Sequence, residues 1–517
     1  MNQFQAILRK NLVLLITLAA FLAVFIAAGQ GMERKDFLIT LLRGLSVGSL
    51  TFLVASGFSL IFGLLDVLNL AHGTLFMIGA YLGWTVYVRP DTFVDMLTPL
   101  ALLICGFTLS GLWMTLSTRL RLSARIGRIL PWVLLLVAAL LGFFVLPRYP
   151  ISTWDTENFA QAPGSFSLMI DQGTPLALPV VAFDQINPFL ALFGLLLTGV
   201  FGAFGLSLFN RTAQAPKLAL KDFLPFIILL IIGLGSFAAN DAITAFLTGL
   251  SNNWLFLIAI LVATLSGAGL GSLMEFTLIR PLYSRPIYQL MLTLGMSAIG
   301  IEVVRAIWGR PEFTMPKPAL FSGSGAGCPA TTFSAWWENN CSIILLLEGR
   351  VRVYNEIFIP LVGILVLVAV WILLQRTRLG MVIRAGVQDR EMVEALGINV
   401  RRVFTLVFAL GVGLAALGGV LAAPSMGLSN MMGESLLLNA LIALAIGGLT
   451  SYPGAALGSL LVGLLQQFMI KYGQIGIAIP FTEIIFKPTP PIVPASTVLL
   501  MVIILLILPN GLLGKKE

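Results

Sequence analysis

The stretch GLSVGSLTFLVASGFSLIFGLL, Gly44 to Leu65, runs for twenty-two residues without a charged side chain. A helix needs about 20 consecutive apolar residues to cross the hydrocarbon core of a bilayer. Charge-free runs recur at 11–32, 96–118, 129–147, 403–433 and 488–514. The 517 residues are 58% hydrophobic and 10% charged, where a soluble domain carries about 25% charged residues. The alternating polarity of a membrane β-barrel is absent. These features predict an all-α, polytopic transmembrane helical bundle embedded in the lipid bilayer.

Fourteen candidate spans follow from the runs: 12–29, 38–63, 70–88, 97–117, 130–147, 189–209, 223–240, 254–275, 287–308, 356–375, 402–422, 434–449, 454–472 and 496–509. An even number places both termini on one side. Most Lys and Arg then fall in the loops of that side, among them Arg119, Arg125, Arg128 and the arginines of 376–401. The positive-inside rule makes that side, and both termini, cytoplasmic. The net charge of +8 is spread over short loops, so it does not describe a nucleic-acid-binding face. The first run follows Arg9 and Lys10 and ends FIAAGQG, which resembles a signal peptide. Its length, and the span that follows at once, favour retention as a membrane helix.

Three cysteines are too few for a disulfide scaffold or a zinc module. Cys105 reads as a packed core residue. Cys328 and Cys341 bracket the polar CPATTFSAWWENNC, where an oxidising compartment would permit a disulfide. That loop, 310–355, and a second outer loop, 148–188, are either partner-docking surfaces or simple caps.

LLDVLNLAHGTLFM, Leu64 to Met77, holds the only histidine of the chain, His72, beside Asn69 and Gly73. Residues three apart share a helix face, and polar groups at membrane depth face the bundle interior or a wet path. Asn69 and His72 can therefore solvate a polar solute or tie helices together. Asp66, one turn nearer the inner surface, reads as an interfacial acid. Glu302 and Arg305 read as a local ion pair.

No G-x-x-x-x-G-K-[ST] phosphate loop occurs, and GLLGKKE has the wrong spacing. One histidine supports no His-based metal cluster, and no G-x-S-x-G elbow is present. The sequence therefore offers no cofactor or metal site and no catalytic constellation. Small-xxx-small patterns are frequent instead: Gly44 and Gly48, Gly267 and Gly271, Gly454 and Gly458. Such spacing lets helices approach closely. In AIGGLTSYPGAALG, Gly447 and Gly448 interrupt a hydrophobic stretch. That break is either a discontinuous helix of the kind that borders transport sites or a tight turn between two spans.

One inner segment, QRTRLGMVIRAGVQDREMVEALGINVRRV, carries six arginines. Its middle sets Met392, Val393 and Leu396 at helical spacing, with Gly397 as a stop signal. A short amphipathic helix with a polar face is built to press into a groove of another protein.

Four blocks together resemble the permeases of branched-chain amino acid ABC importers, over about 38–90 and 254–514. They are GLSVGSLTFLVASGFSLIFGLLDVLNLAHGTLFMIGAYLGW, MEFTLIRPLYSRPIYQLMLTLG, RAGVQDREMVEALGINVRRVFTLVFALG, and AIGGLTSYPGAALGSLLVGLL with LPNGLLG. The resemblance implies a non-enzymatic membrane subunit in a bacterial plasma membrane. It also implies a second homologous permease, two cytoplasmic ATPase subunits and an external solute-binding protein. It assigns the translocation path to Asn69, His72 and Gly73, to which the discontinuous-helix reading of the glycine break adds Gly447 and Gly448. Glu394, Ala395 and Gly397 match the family's coupling pattern, which implies ATPase contact over 389–399, Asp389 included; Arg384 is grouped with them, within a loop at 376–401. The chain then divides into an N-terminal permease segment, 1–90, extra spans inserted at 91–253, and a C-terminal core, 254–517. Relatives of this fold also move urea and short amides, so the solute stays open. A proton- or ion-coupled secondary transporter, with Asp66, His72 and Glu302 as relay groups, is the competing class.

Overall fold

The computed structural model describes residues 31–120, 123–149, 186–209, 219–283, 285–309, 314–388, 390–478 and 485–514, with the single positions 19, 23, 29 and 312. The expected span at 12–29, nearly all of the outer loop 148–188, and Asp389 lie outside them.

The chain forms two compact units: Met1–Trp84 with Asn252–Glu517, and Thr85–Ser251. The first unit opens with α1 (Arg34–Leu65) and with α2 (His72–Val88), whose last four residues are counted with the second unit. The second contains α3 (Pro90–Thr108), α4 (Ser110–Arg119), α5 (Ala124–Val145), α6 (Pro188–Phe209), α7 (Leu224–Ala238) and α8 (Asn240–Thr248). The first unit resumes with α9 (Asn252–Met274) and α10 (Pro286–Trp308), then α11 (Phe333–Asn339) and the strands β1 (Ile343–Leu346) and β2 (Gly349–Arg352). It continues with α12 (Ile359–Arg376), α13 (Arg378–Gln388), α14 (Arg390–Ala395), α15 (Val400–Met426), α16 (Met432–Gly447) and α17 (Tyr452–Ile475). It ends with β3 (Ile477–Ala478), β4 (Ile485–Phe486) and α18 (Ile492–Ile507).

The protein is thus a polytopic helical membrane protein. Two small antiparallel ladders, β1–β2 and β3–β4, correct the all-α expectation. Among the described residues, nine helices are long and apolar enough to cross a membrane, or ten if α7 and α8, bent by 76°, count as one span. Three more of the fourteen expected spans are the shorter helices α2, α16 and α18, of 17, 16 and 16 residues. The surface agrees with a lipid setting. Leu257, Leu261 and Leu265 on α9, and Leu361, Ile364 and Leu365 on α12, are all more than half exposed. Such stripes would be an aggregation hazard in water.

Helix contacts in the first unit depend on the glycine spacings. A Cβ on Gly48 would come within 3.0 Å of the Ser459 carbonyl oxygen on α17, and one on Gly44 within 2.9 Å of Leu464 Cα. Gly267 and Gly271 set α9 against Ala416 and Val412 of α15, and Gly454 and Gly458 set α17 against Gly447 and Ala443 of α16. Those last pairings run in opposite directions, so α16 and α17 form an antiparallel hairpin. Without a hydrophobic drive between helices in lipid, this close backbone approach supplies the dispersion contact that holds them.

In the second unit, Leu102, Val145, Tyr149, Ala191, Leu192 and Leu195 form a buried cluster. Buried Thr98 donates to the Gly233 carbonyl (3.1 Å), and the Asn240 amide donates to Asp95 (2.8 Å). Between α10 and α12, a disulfide joins Cys328 and Cys341 at a Cα separation of 5.5 Å. Beside it, Phe321, Phe333, Trp336 and Trp337 help line an apolar cavity of about 310 Å³. Cys105 is buried, as its apolar setting implies.

Candidate functional site

α1 ends at Leu65 and is capped by Asp66, which takes a left-handed backbone conformation (φ 53°) and is exposed. The chain then runs without helix from Val67 to Ala71, and α2 begins only at His72. The His72 Nε2 donates to the carbonyl of Val54 at 3.1 Å. Val54 lies eleven residues before Leu65, so at 1.5 Å per residue α2 starts about 16 Å inside the end of α1. This is why α2 is short for a span. Non-helical backbone at such depth must be satisfied by protein. Thr293 of α10 provides this: its hydroxyl accepts from Leu70 N (3.2 Å) and donates to Leu68 O (3.3 Å). One turn on, the hydroxyls of Thr74 and Ser297 meet at 2.6 Å.

Asn69 and His72 therefore do not share a helix face, correcting the sequence expectation. Asn69 precedes the helix and caps it. Its Oδ1 accepts from Ala71 N at 3.2 Å, and its carbonyl accepts from His72 N at 3.2 Å. The cap preference of Asn, with its short acceptor side chain, wins over helical periodicity. Both side chains are fully buried. The Asn69 Nδ2 and the His72 Nδ1 have no hydrogen-bond partner among the described residues. With Nε2 donating to Val54, Nδ1 is left as an acceptor, so the pair presents one free donor and one free acceptor. The Phe58 ring packs edge-on to His72 (centroids 5.9 Å apart).

Glycines seal the surroundings. A Cβ on Gly57 would run into the Gly411 carbonyl and come within 2.9 Å of His72 Nε2. A Cβ on Gly73 would meet the Gly433 carbonyl and lie 2.9 Å from Leu437 Cβ. Gly73 is thus the contact point between α2 and α16.

Gly447 and Gly448 lie elsewhere. Gly447 ends α16, and Gly448 (φ 109°) starts the turn into α17, so this break is a hairpin turn and not a discontinuous span. Only glycine reaches that φ readily. The C-terminal segment packs on the turn, with Leu512 N donating to Ile446 O (2.8 Å) and Leu513 N to Gly447 O (2.9 Å). The turn also meets the last turns of α1, where Ser59 donates to Leu449 O at 3.3 Å.

At that same end of the unit lies α14. Gly397 adopts φ 80°, and its N–H closes on Glu394 O (3.0 Å), the left-handed C-cap that stops a helix. Its apolar ridge divides. Val393 is buried against Val400 and Phe404, whereas Met392 and Leu396 are 60% and 73% exposed. Glu394, Ala395 and Gly397 are exposed with them, and Arg384 is an exposed residue of α13 bonded to Gln375.

Sequence reading missed one polar network nearby. Glu275, wholly buried, accepts from Arg280 (2.8 Å), the Tyr283 hydroxyl (2.7 Å) and the Thr405 hydroxyl (2.7 Å). The signal was present in MEFTLIRPLY, a Glu and an Arg five residues apart at the end of a span. Glu302 does pair with Arg305 (2.6 Å), and its side chain is 69% exposed.

Comparison with known proteins gives this arrangement a family. A family profile described as "Branched-chain amino acid transport system / permease component" matches residues 40–209 and 224–508. The high-affinity branched-chain amino acid transport system permease protein LivH of Escherichia coli K12 is 27% identical over 288 residues, covering 55% of this chain and 83% of LivH. The permease protein BraD of Pseudomonas aeruginosa, from a system of the same description, is 31% identical over 172 residues, or 33% of this chain and 51% of BraD. The fructose import permease protein FruF of Bifidobacterium longum is 27% identical over 120 residues, 22% of this chain and 34% of FruF. No solved structure matches the chain significantly. With most of its length matched, the chain belongs to the branched-chain amino acid transport permease family, a family of membrane permeases and not of enzymes.

Proposed function

We propose that the protein is the membrane-spanning subunit of an ATP-binding-cassette importer for branched-chain or related amino acids. It works with a second homologous permease, two cytoplasmic ATPases and an external solute-binding protein, in a bacterial plasma membrane with both termini cytoplasmic. The observation that carries this reading is α14, a capped helix that buries Val393 in its own protein and holds Met392 and Leu396 out to solvent. An exposed apolar pair beside Glu394 on a short helix suits insertion into a groove of a partner. The loop carrying Arg384, Glu394, Ala395 and Gly397, together with Asp389, forms the ATPase-docking element. Arg280, Arg285, Arg376, Arg378, Arg401 and Arg402 flank in sequence the segments whose Tyr283, Val382, Ile398 and Phe404 pack together at this end, which favours a cytoplasmic position for it. The extra spans at 91–253 are an insertion into this permease core.

Solute passes by Asn69, His72 and Gly73. The free Asn69 amide can donate to a carboxylate and the free His72 Nδ1 can accept from an ammonium, the two poles of an α-amino acid. Gly447 and Gly448 serve the path indirectly, as the hinge of the α16–α17 hairpin. In a secondary transporter, Asp66 and Glu302 would have to relay protons with His72. Both are exposed, and Glu302 is already paired, which counts against that class. Uptake by the complete complex in proteoliposomes tests the proposal. ATP-dependent leucine uptake that urea and short amides do not compete is expected. Uptake that persists without the ATPase subunits would overturn it.

A further inference from the structure

The Glu275 network has no place in the solute path, yet it sits where the docking loop meets the non-helical segment 67–71. Glu275 directly follows α9, Arg280 and Tyr283 lie in the link to α10, and Thr405 in the second turn of α15. Arg280 also donates to Thr405 (2.7 Å), so three elements are tied at one carboxylate. A buried carboxylate is tolerable only when fully hydrogen-bonded, and such a network admits one arrangement of its members.

Tyr283 is the member with two neighbourhoods. Its ring packs on Phe404 (5.9 Å between centroids) and against the cluster of Val393, Val400 and Phe404, which seats the docking helix. It also packs against the cluster of Ile61, Val67, Ala71, Phe408 and Val412. Val67 and Ala71 bracket Asn69 in the non-helical segment that leads into His72. Leu65, the last residue of α1, is shared by the same two clusters. A displacement of α14 by a partner therefore bears on Tyr283 and Leu65, and through them on residues 67–71.

We infer that the Glu275–Arg280 pair is a positioning element for coupling. It holds the Tyr283 ring between the docking helix and the non-helical segment 67–71, so that movement of α14 shifts 67–71 instead of being absorbed by side-chain rotation. The inference rests on the importer reading and names the residues through which that site is driven.

The test uses the complete importer in proteoliposomes, comparing wild type with Tyr283→Phe and Glu275→Gln. Tyr283→Phe keeps the ring in both clusters and removes only its tether. Assembled complex is quantified, and solute-stimulated ATP hydrolysis and leucine uptake are measured across leucine concentrations. Both variants are expected to lower uptake per ATP hydrolysed by roughly tenfold, the scale of ordinary site-to-site coupling. The KM for leucine and the amount of complex should stay unchanged. Should Glu275→Gln fail to assemble, Tyr283→Phe carries the test alone. Uptake and ATP hydrolysis falling in step with assembled complex, or an unaltered uptake per ATP, would overturn the inference. Wild-type uptake independent of the ATPases would sink the importer reading, and this inference with it.

Discussion

At the scale of the residue, Asn69 has two separable duties, a backbone cap and a free amide. Loss of an Asn cap costs about 1 kcal/mol, so Asn69→Ala should lower the melting temperature of the purified protein by a few degrees. Asn69→Ser restores the cap without the amide. If the amide contacts solute, Asn69→Ser should recover stability and still show a raised KM for uptake; full recovery of both would assign Asn69 to structure alone. Gly57 is constrained differently, by the Gly411 carbonyl on one side and His72 on the other. Gly57→Val should prevent α1 and α15 from closing, read as loss of a monodisperse peak on size-exclusion chromatography. Gly57→Ala should be milder in degree and the same in direction.

At the scale of the element, α14 is held by Val393 and presents Glu394 outward. Glu394→Lys should leave membrane insertion and melting temperature intact and abolish co-purification of the ATPase subunits. Unchanged co-purification and uptake would remove α14 from the docking surface. The 328–341 link is a second element-scale feature, closing a sequence separation of 13 residues. A cross-link of that span stabilises by about 3 kcal/mol in the chain-entropy account. Cys328 and Cys341 should resist alkylation until a reductant is added, and the loop between α10 and α12 should then become sensitive to protease while the bundle stays resistant. The sequence made α14 legible because its pattern is local: a short amphipathic run and a glycine stop. It misplaced Asn69 because three-residue spacing is helical only where the backbone is helical, and capping chemistry delays the start of the helix to His72.

At the scale of the whole molecule, the first unit sorts its ends. Leu449 in the α16–α17 turn and Leu396 beside α14 belong to one end, and Trp337 beside the disulfide to the other. A membrane-impermeant maleimide applied to right-side-out vesicles should label Trp337→Cys and spare Leu449→Cys and Leu396→Cys in a background lacking the native cysteines. The reverse pattern would invert the proposed orientation.

The sequence by itself determined the class of this protein. Apolar runs near twenty residues long, with few charges between them, can only be membrane helices, and the small-xxx-small spacings marked faces that do meet. These signals are local, and a single chain segment carries each of them. Tertiary structure alone decided where helices begin and what polar groups do at depth. Thr293 satisfies the backbone that lets α2 start inside the bundle, and it is more than two hundred residues away in the chain. Glu275 is bearable because Arg280, Tyr283 and Thr405 converge on it. The free energy of a buried polar group depends on partners brought from distant segments, and residue spacing holds no record of them.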